Sequence, residues 1–155
     1  MELTITEAVP GDAGELLTLQ RAAYLAEGAI YQAFDLPPLT ETLAEVRAAI
    51  GSLLVLKALS GTRIVGAVRG RLDGETWHVG RLAVAPDLQG QGIGTALLRA
   101  VEQRAPDPVR RYELFTGRDS EANLRLYRRL GYLDLPHLAH PVLVYLEKRI
   151  PDPVC

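Results

Sequence analysis

The chain has 155 residues, 48% of them hydrophobic and 23% charged, with 17 basic and 19 acidic side chains and a formal net charge of -2. These values fit one soluble globular domain that buries its own core, and they exclude a disordered tail, a collagen-like repeat and a cysteine-rich scaffold. The balanced charge gives no broad field for nucleic acid or an anionic membrane, so any anion must be held locally. The one cysteine, Cys155, is the final residue, which leaves no intrachain disulfide and no cysteine metal site. Met1 to Pro10 lack the pattern of a signal peptide and no apolar run approaches a membrane span, so a cytoplasmic setting is expected.

Leu3, Ile5 and Val9 place apolar residues at strand intervals before Pro10 and Gly11 break the segment. A helix begins near Asp12 with a stripe of Leu16, Leu17, Leu19, Ala23 and Tyr24. The pattern lapses from Glu27 to Leu39, where Pro37 and Pro38 rule out a continuous helix. Thr40 is the expected cap of a second helix carrying Leu43, Val46 and Ile50, with Gly51 as its end. Leu53 to Leu59 and Ile64 to Leu72 read as strands about a Ser60-Gly61 turn, and Asp73-Gly74 as a hairpin turn leading into Thr76 to Val84.

After Pro86 comes a glycine-rich turn, then a helix with Ile93, Ala96, Leu97, Ala100 and Val101 on one face, closed by Pro106. Tyr112, Leu114 and Thr116 alternate as a fifth strand. Asp119 or Ser120 caps a last helix with Leu124, Tyr127 and Leu130 on one face, Gly131 ends it, and Val142 to Leu146 is a final strand. The strands before and after the glycine-turn helix should be parallel, since a β-helix-β crossover joins them. Ligands in such sheets gather at the strands' carboxyl ends.

Gln89-Gly90-Gln91-Gly92-Ile93-Gly94 sits at that position. Glycines at 90, 92 and 94 remove the Cβ atoms that would obstruct a ligand near the backbone, at roughly 1 kcal/mol each inside a helix. Free amides at the helix start, aided by its dipole, suit phosphate oxygens. The alternative is a tight turn with close helix packing. No Gly-Lys-Ser/Thr ending is present and the glycine spacing misses the dinucleotide fingerprint, which argues against a P-loop or a Rossmann site.

The run Arg81 to Leu98, RLAVAPDLQGQGIGTALL, closely resembles motif A of the GNAT superfamily of acyl-CoA-dependent N-acyltransferases, with its Gln/Arg-x-x-Gly-x-Gly/Ala kernel. Asn123 to Tyr132, NLRLYRRLGY, resembles motif B. The two blocks stand in the family's order and separation, and the element order agrees throughout the chain. The resemblance implies an α/β (α+β) fold with a mixed, mostly antiparallel sheet of six or seven strands flanked by about four helices. It also implies a single N-acetyltransferase domain over 1–150 with a short tail, 151–155. Acetyl-CoA is the implied cosubstrate, with no metal. Backbone groups of Gln89, Gly90, Gln91, Gly92, Ile93, Gly94 and Thr95 would hold its pyrophosphate, and those of Leu82, Ala83 and Val84 would pair with its pantetheine arm where this strand splays from the next. Asn123 would contact the cofactor, or serve only the helix start. A homodimer is common among such proteins, and no segment here defines its interface.

Acyl transfer from a thioester to an amine needs a neutral amine, a stabilised oxyanion and a proton for the thiolate. Tyr127 matches the family's usual acid and also lies at the cofactor; the alternative is a core aromatic. A phenol near pKa 10 protonates a thiolate whose acid is near 8.5 at a cost of roughly 2 kcal/mol. A lysine-like amine is only about 0.1% neutral at pH 7.4, a shortfall of about 4 kcal/mol. Family members often place a glutamate four positions before the leucine of Leu-x-Val, acting through water; here that position is His78, a chemically suitable base or else a strand histidine with no task. His78, Gly80 and Leu82 should share a strand face. Glu75 is a weaker candidate, and His137 and His140 are too weakly spaced for a metal site.

The family's acceptor wall corresponds to the segment carrying Tyr24, Tyr31, Phe34 and Asp35, where aromatic rings and one carboxylate could receive an ammonium group; the alternative is simple packing. The expected function is acetyl transfer to a primary amine of a small molecule or peptide by direct attack. The rivals are a catalytically silent acyl-CoA-binding sensor or scaffold and an ATP-binding protein.

Overall fold

The computed structural model describes residues 1–151; the rest of the expected tail, Cys155 included, lies outside the described residues. Seven strands are described: β1 (Thr4–Glu7), β2 (Leu54–Ser60), β3 (Arg63–Asp73), β4 (Thr76–Val84), β5 (Arg111–Gly117), β6 (Leu133–Asp134) and β7 (Leu143–Arg149). They form one sheet in the order β1-β2-β3-β4-β5-β7-β6. Every pairing is antiparallel except β4 with β5, which the crossover makes parallel as expected. Asp73 pairs with Thr76, so the hairpin loop is Gly74-Glu75, one residue later than the sequence suggests, with Gly74 at φ +60°.

The helices are α1 (Ala13–Tyr31), α2 (Pro37–Thr40), α3 (Leu43–Ser52), α4 (Ile93–Gln103) and α5 (Glu121–Arg129). On one face, α4 and α5 bury Ile93, Leu97, Leu98, Val101, Leu124 and Tyr127 against Leu56, Val68, Trp77, Val79 and Leu114. On the other, α1 and α3 bury Leu16, Leu17, Leu19 and Val46 against Val55, Ile64 and Ala83. Three expectations at the helix ends are corrected. α1 runs on past Glu27 to Tyr31, because Gly28 is a packing position: a Cβ there would lie 3.0 Å from Phe34 Cδ1 and 3.1 Å from Leu39 Cδ1. The cap of α3 is Thr42, not Thr40. Thr42 Oγ1 accepts from the Glu45 N–H at 3.2 Å while Glu45 accepts from the Thr42 N–H at 3.1 Å, a reciprocal box that Thr40, inside α2, cannot make. Gly51 lies within α3, which ends at Ser52.

Two irregularities set the course of β4. Its pairing with β5 covers only Thr76–Arg111, Trp77–Tyr112 and His78–Glu113, and beyond these the strands part. Its pairing with β3 slips between Arg69–Gly80 and Ala67–Ala83, so Arg81 and Leu82 together face Val68, with Arg81 at φ +50°. A bulge of this kind reverses the alternation of faces. Trp77 and Val79 before it and Leu82 and Val84 after it all pack on the α4 side, whereas Ala83 and Ala85 pack on the α1 side. His78 and Gly80 therefore do not share a face with Leu82, contrary to the expectation from strict alternation.

Candidate active site

The glycine turn comes after a short 3-10 turn at Pro86–Leu88 and runs into α4. Gly90 and Gly92 have φ +77° and +84°, and a Cβ added at either would meet nothing within 4 Å. The first helical bond of α4 joins the Ala96 N–H to the Gly92 carbonyl at 3.0 Å, which leaves the amides of Ile93, Gly94 and Thr95 without helical acceptors. The Gln89 side chain donates to the Val84 carbonyl at 3.1 Å and ties the turn to the end of β4. Gln91 is exposed. Gly94 differs from the other two glycines, since a Cβ there would lie 3.3 Å from Leu126 Cδ2; its task is to let α4 and α5 approach. Ile93 contributes only backbone, its side chain being buried in the core.

Where β4 and β5 part, a cleft of about 1040 Å³ opens. It is walled by Leu82, Ala83 and Val84, by the turn from Gln89 to Thr95 except Gln91, by α5 through Asn123, Arg125, Leu126 and Arg129, and by α1 through Tyr24 and Glu27. With no β5 partner beyond His78, the edge of β4 at Leu82–Val84 is free to pair with an extended ligand. Asn123 spans from α5 to β5, its amide donating to Thr116 Oγ1 at 3.2 Å. The glycine turn and the free strand edge thus share one cleft.

Tyr127 is buried beside Tyr24 and Glu27, and burial, then the proximity of those two groups, raises its phenol well above the ordinary value. Arg81 Nε is the one buried side-chain polar atom without a partner among the described residues, so the Tyr127 hydroxyl, which no protein group binds, is not sealed off. Tyr24 is pushed up to about 12, mainly by burial. His78 lies at the closed end of the fork, level with Glu113, with Nε2 3.7 Å from the Asp73 carboxylate. It is not among the residues walling the cleft.

Of the four side chains expected at the acceptor wall, the cleft holds Tyr24. Tyr31, the last residue of α1, is a strut: it shares a 2.8 Å hydrogen bond with Ser120 Oγ and accepts from the Asp119 N–H at 2.9 Å. Phe34 packs on Gly28 and is 63% exposed, and Asp35 is exposed with it. Glu75 lies in the hairpin loop, far along β4 from the bulge. Among the described residues no group of three metal-ligating side chains converges, and no helix is long and apolar enough to cross a membrane.

The model of the acetyltransferase (GNAT) family matches residues 16–132. The chain belongs to the GNAT family. A mycothiol acetyltransferase of Nocardiopsis dassonvillei is 43% identical over 103 residues, 63% of this chain and 29% of that protein, so the chain spans less than a third of that relative's length. Two solved structures share the fold: the PaiA N-acetyltransferase of Thermoplasma acidophilum in complex with coenzyme A, and yncA, described as an acetyltransferase, of Salmonella typhimurium with its cofactor acetyl-CoA. The first has TM-score 0.80 and 16% identity, covering 97% of this chain and all of that one. The second has TM-score 0.73 and 17% identity, covering 100% and 98%.

Within this GNAT chain the structure adds residues that the motifs did not name. Arg125 and Arg129, one turn apart on α5, flank the cradle, and Arg129 Nη2 donates to Thr95 Oγ1 at 3.2 Å. Their helical spacing was visible in the sequence, but the face they occupy depends on how α5 lies against α4. Glu27 had no signal, because the sequence placed it at the edge of a loop.

Proposed function

We propose that the chain is an N-acetyltransferase that passes an acetyl group from acetyl-CoA to a primary amine of a small molecule or peptide by direct attack, with residues 1–150 acting as one catalytic domain. The observation that carries this reading is the single cleft joining the free amides of Ile93, Gly94 and Thr95 to the free β4 edge and then to Tyr24 and Glu27, with Tyr127 buried behind those two rather than in the cleft wall itself. The open cradle at Gly90 and Gly92 fits a pyrophosphate, with Arg125 and Arg129 adding positive charge at its side. The edge at Leu82–Val84 fits the amides of a pantetheine arm. Acetyl-CoA bound there would supply the thioester carbonyl that the amine attacks.

Tyr127 supplies the proton for the departing sulfur in this reading. Burial makes the phenol a weaker acid, but a thiolate in the same poorly solvated place also holds a proton more tightly, so the two shifts offset. His78 is placed less well as the base. Its imidazole leans toward Asp73 at the closed end of the fork, and a proton path from the cleft to it needs a chain of water.

Calorimetry with coenzyme A and acetyl-CoA, followed by thiol release over a panel of primary amines, tests the proposal. Binding of both and release with at least one amine is expected. No binding would overturn it, and tight binding without any productive amine would favour an acyl-CoA sensor.

A further inference from the structure

Glu27 is the only carboxylate among the described residues that wall the cleft. It projects from α1 toward the N-terminus of α5, where the Ser120 hydroxyl donates to Oε2 in a very short hydrogen bond. Ser120 has one proton to give, so the Tyr31 hydroxyl must donate to Ser120 Oγ, while Tyr31 itself accepts from the Asp119 N–H. Three donors thus run in series toward one carboxylate oxygen and fix its position. The other oxygen, Oε1, has no hydrogen bond, and among the described residues no cation lies within ion-pair distance of Glu27. A half-buried carboxylate with one oxygen anchored, one free and no counter-ion is suited to a cation from outside the protein.

We propose that Glu27 binds the acceptor's ammonium group and takes its first proton. The proposal rests on the acetyltransferase reading and names the residue that readies the amine. In the first step an N–H bond of the ammonium breaks and its proton passes to Glu27 Oε1. The neutral nitrogen then bonds to the thioester carbon, and as the carbon–sulfur bond breaks, sulfur takes the Tyr127 hydroxyl proton. The nitrogen gives its second proton back to Tyr127, and Glu27 releases the first to solvent. The nitrogen loses two protons, the sulfur gains one, and one leaves to water.

The two residues assist one another electrostatically. The negative charge of Glu27 opposes loss of the Tyr127 proton, so a Glu27 made neutral by the amine removes that opposition when the thiolate departs. The charged and titratable groups near Glu27 are Tyr24 and Tyr31 on its own helix and Tyr127 on α5, with Arg69 and Arg81 of the sheet acting on Tyr24.

The test compares wild type, Glu27→Gln and Glu27→Asp with acetyl-CoA as donor and n-butylamine and glycinamide as acceptor probes. Glutamine keeps a carbonyl for the Ser120 hydroxyl, so a merely structural role predicts little loss. A role as base predicts unchanged coenzyme A binding by calorimetry and a fall in kcat/KM of about 100-fold at neutral pH. The loss should shrink as pH nears the amine's own pKa and be larger for n-butylamine, the stronger base. Glu27→Asp, which keeps the charge on a shorter arm, should lose less and retain the pH profile of wild type. A Glu27→Gln chain within threefold of wild type, or one equally impaired at every pH and with both amines, overturns the proposal; should that variant fail to fold, a Glu27→Asp chain with an altered pH profile does so. A wild-type chain that binds acetyl-CoA yet acetylates no amine overturns the acetyltransferase reading itself.

Discussion

Arg129 near the end of α5 holds Nη2 3.2 Å from Thr95 Oγ1 in the first turn of α4, so the cradle's helix and the neighbouring helix meet through a cation beside three free amides. That charge adds to the field of the α4 dipole at the point where an anion would bind. Arg129→Ala should raise the KM for acetyl-CoA about fivefold and leave kcat nearly unchanged, with the effect fading as salt is added, because the side chain is exposed. Steady-state kinetics at two ionic strengths measure this.

Gly92→Ala isolates the backbone requirement. The added Cβ meets no atom within 4 Å, so its whole cost comes from holding φ at +84°, roughly 1–2 kcal/mol. Lower thermal stability and weaker coenzyme A binding are expected together, read by thermal melts and calorimetry.

Tyr127→Phe removes one oxygen from a ring that stays packed against Leu124 and Tyr132. The expected result is a loss of about 100-fold or more in kcat with coenzyme A affinity retained. Because the folded phenol stays protonated above its ordinary pKa, the wild-type rate should show no alkaline fall from Tyr127 near pH 10. Unchanged turnover in the variant would remove the acid role.

Gly117 makes room for the strut between α1 and α5. A Cβ there would collide with the Tyr31 hydroxyl, so Gly117→Ala must expel Tyr31 and break its bonds to Ser120 and Asp119. A loss of about 2–3 kcal/mol in unfolding free energy is expected, against about 1 kcal/mol for Tyr31→Phe, which keeps the ring in place. Denaturant melts separate the two.

Alkali should unfold the chain steeply. Tyr24, Tyr127 and Tyr132 all have phenols raised by burial, first of all causes. Above the unfolded value near 10 the unfolded chain holds fewer protons than the folded one, so stability present below that pH is lost as pH rises. Three such groups give a slope of about 4 kcal/mol per pH unit from pH 10 toward 12. Chemical melts across that range check it, and a flat profile would show that these rings ionise in place.

Much of the fold was legible because local chemistry agreed with global packing. The two-residue and 3.6-residue periods marked the strands and the amphipathic helices, and a β-helix-β crossover left little choice but a parallel β4–β5 pair. Gly90 and Gly92 marked an open turn, since glycine adopts those dihedrals freely and leaves the space above them clear. Gly94, identical in sequence terms, proved to serve packing against Leu126, a distinction that depends on a neighbour 32 residues away along the chain.

Residue type and spacing by themselves determined the order of elements, the open glycine turn and the motifs around Gly92 and Tyr127, because those depend on each residue's own backbone and nearest turns. Tertiary structure decided which side chains face the cleft. The Arg81 bulge turned His78 away from the face of Leu82, the length of α1 carried Tyr31 onto Gly117, and the clamp at Ser120 aimed Glu27 inward. Each of these rests on contacts between segments distant in the chain, and a one-residue slip in a strand moves every later side chain to the opposite face.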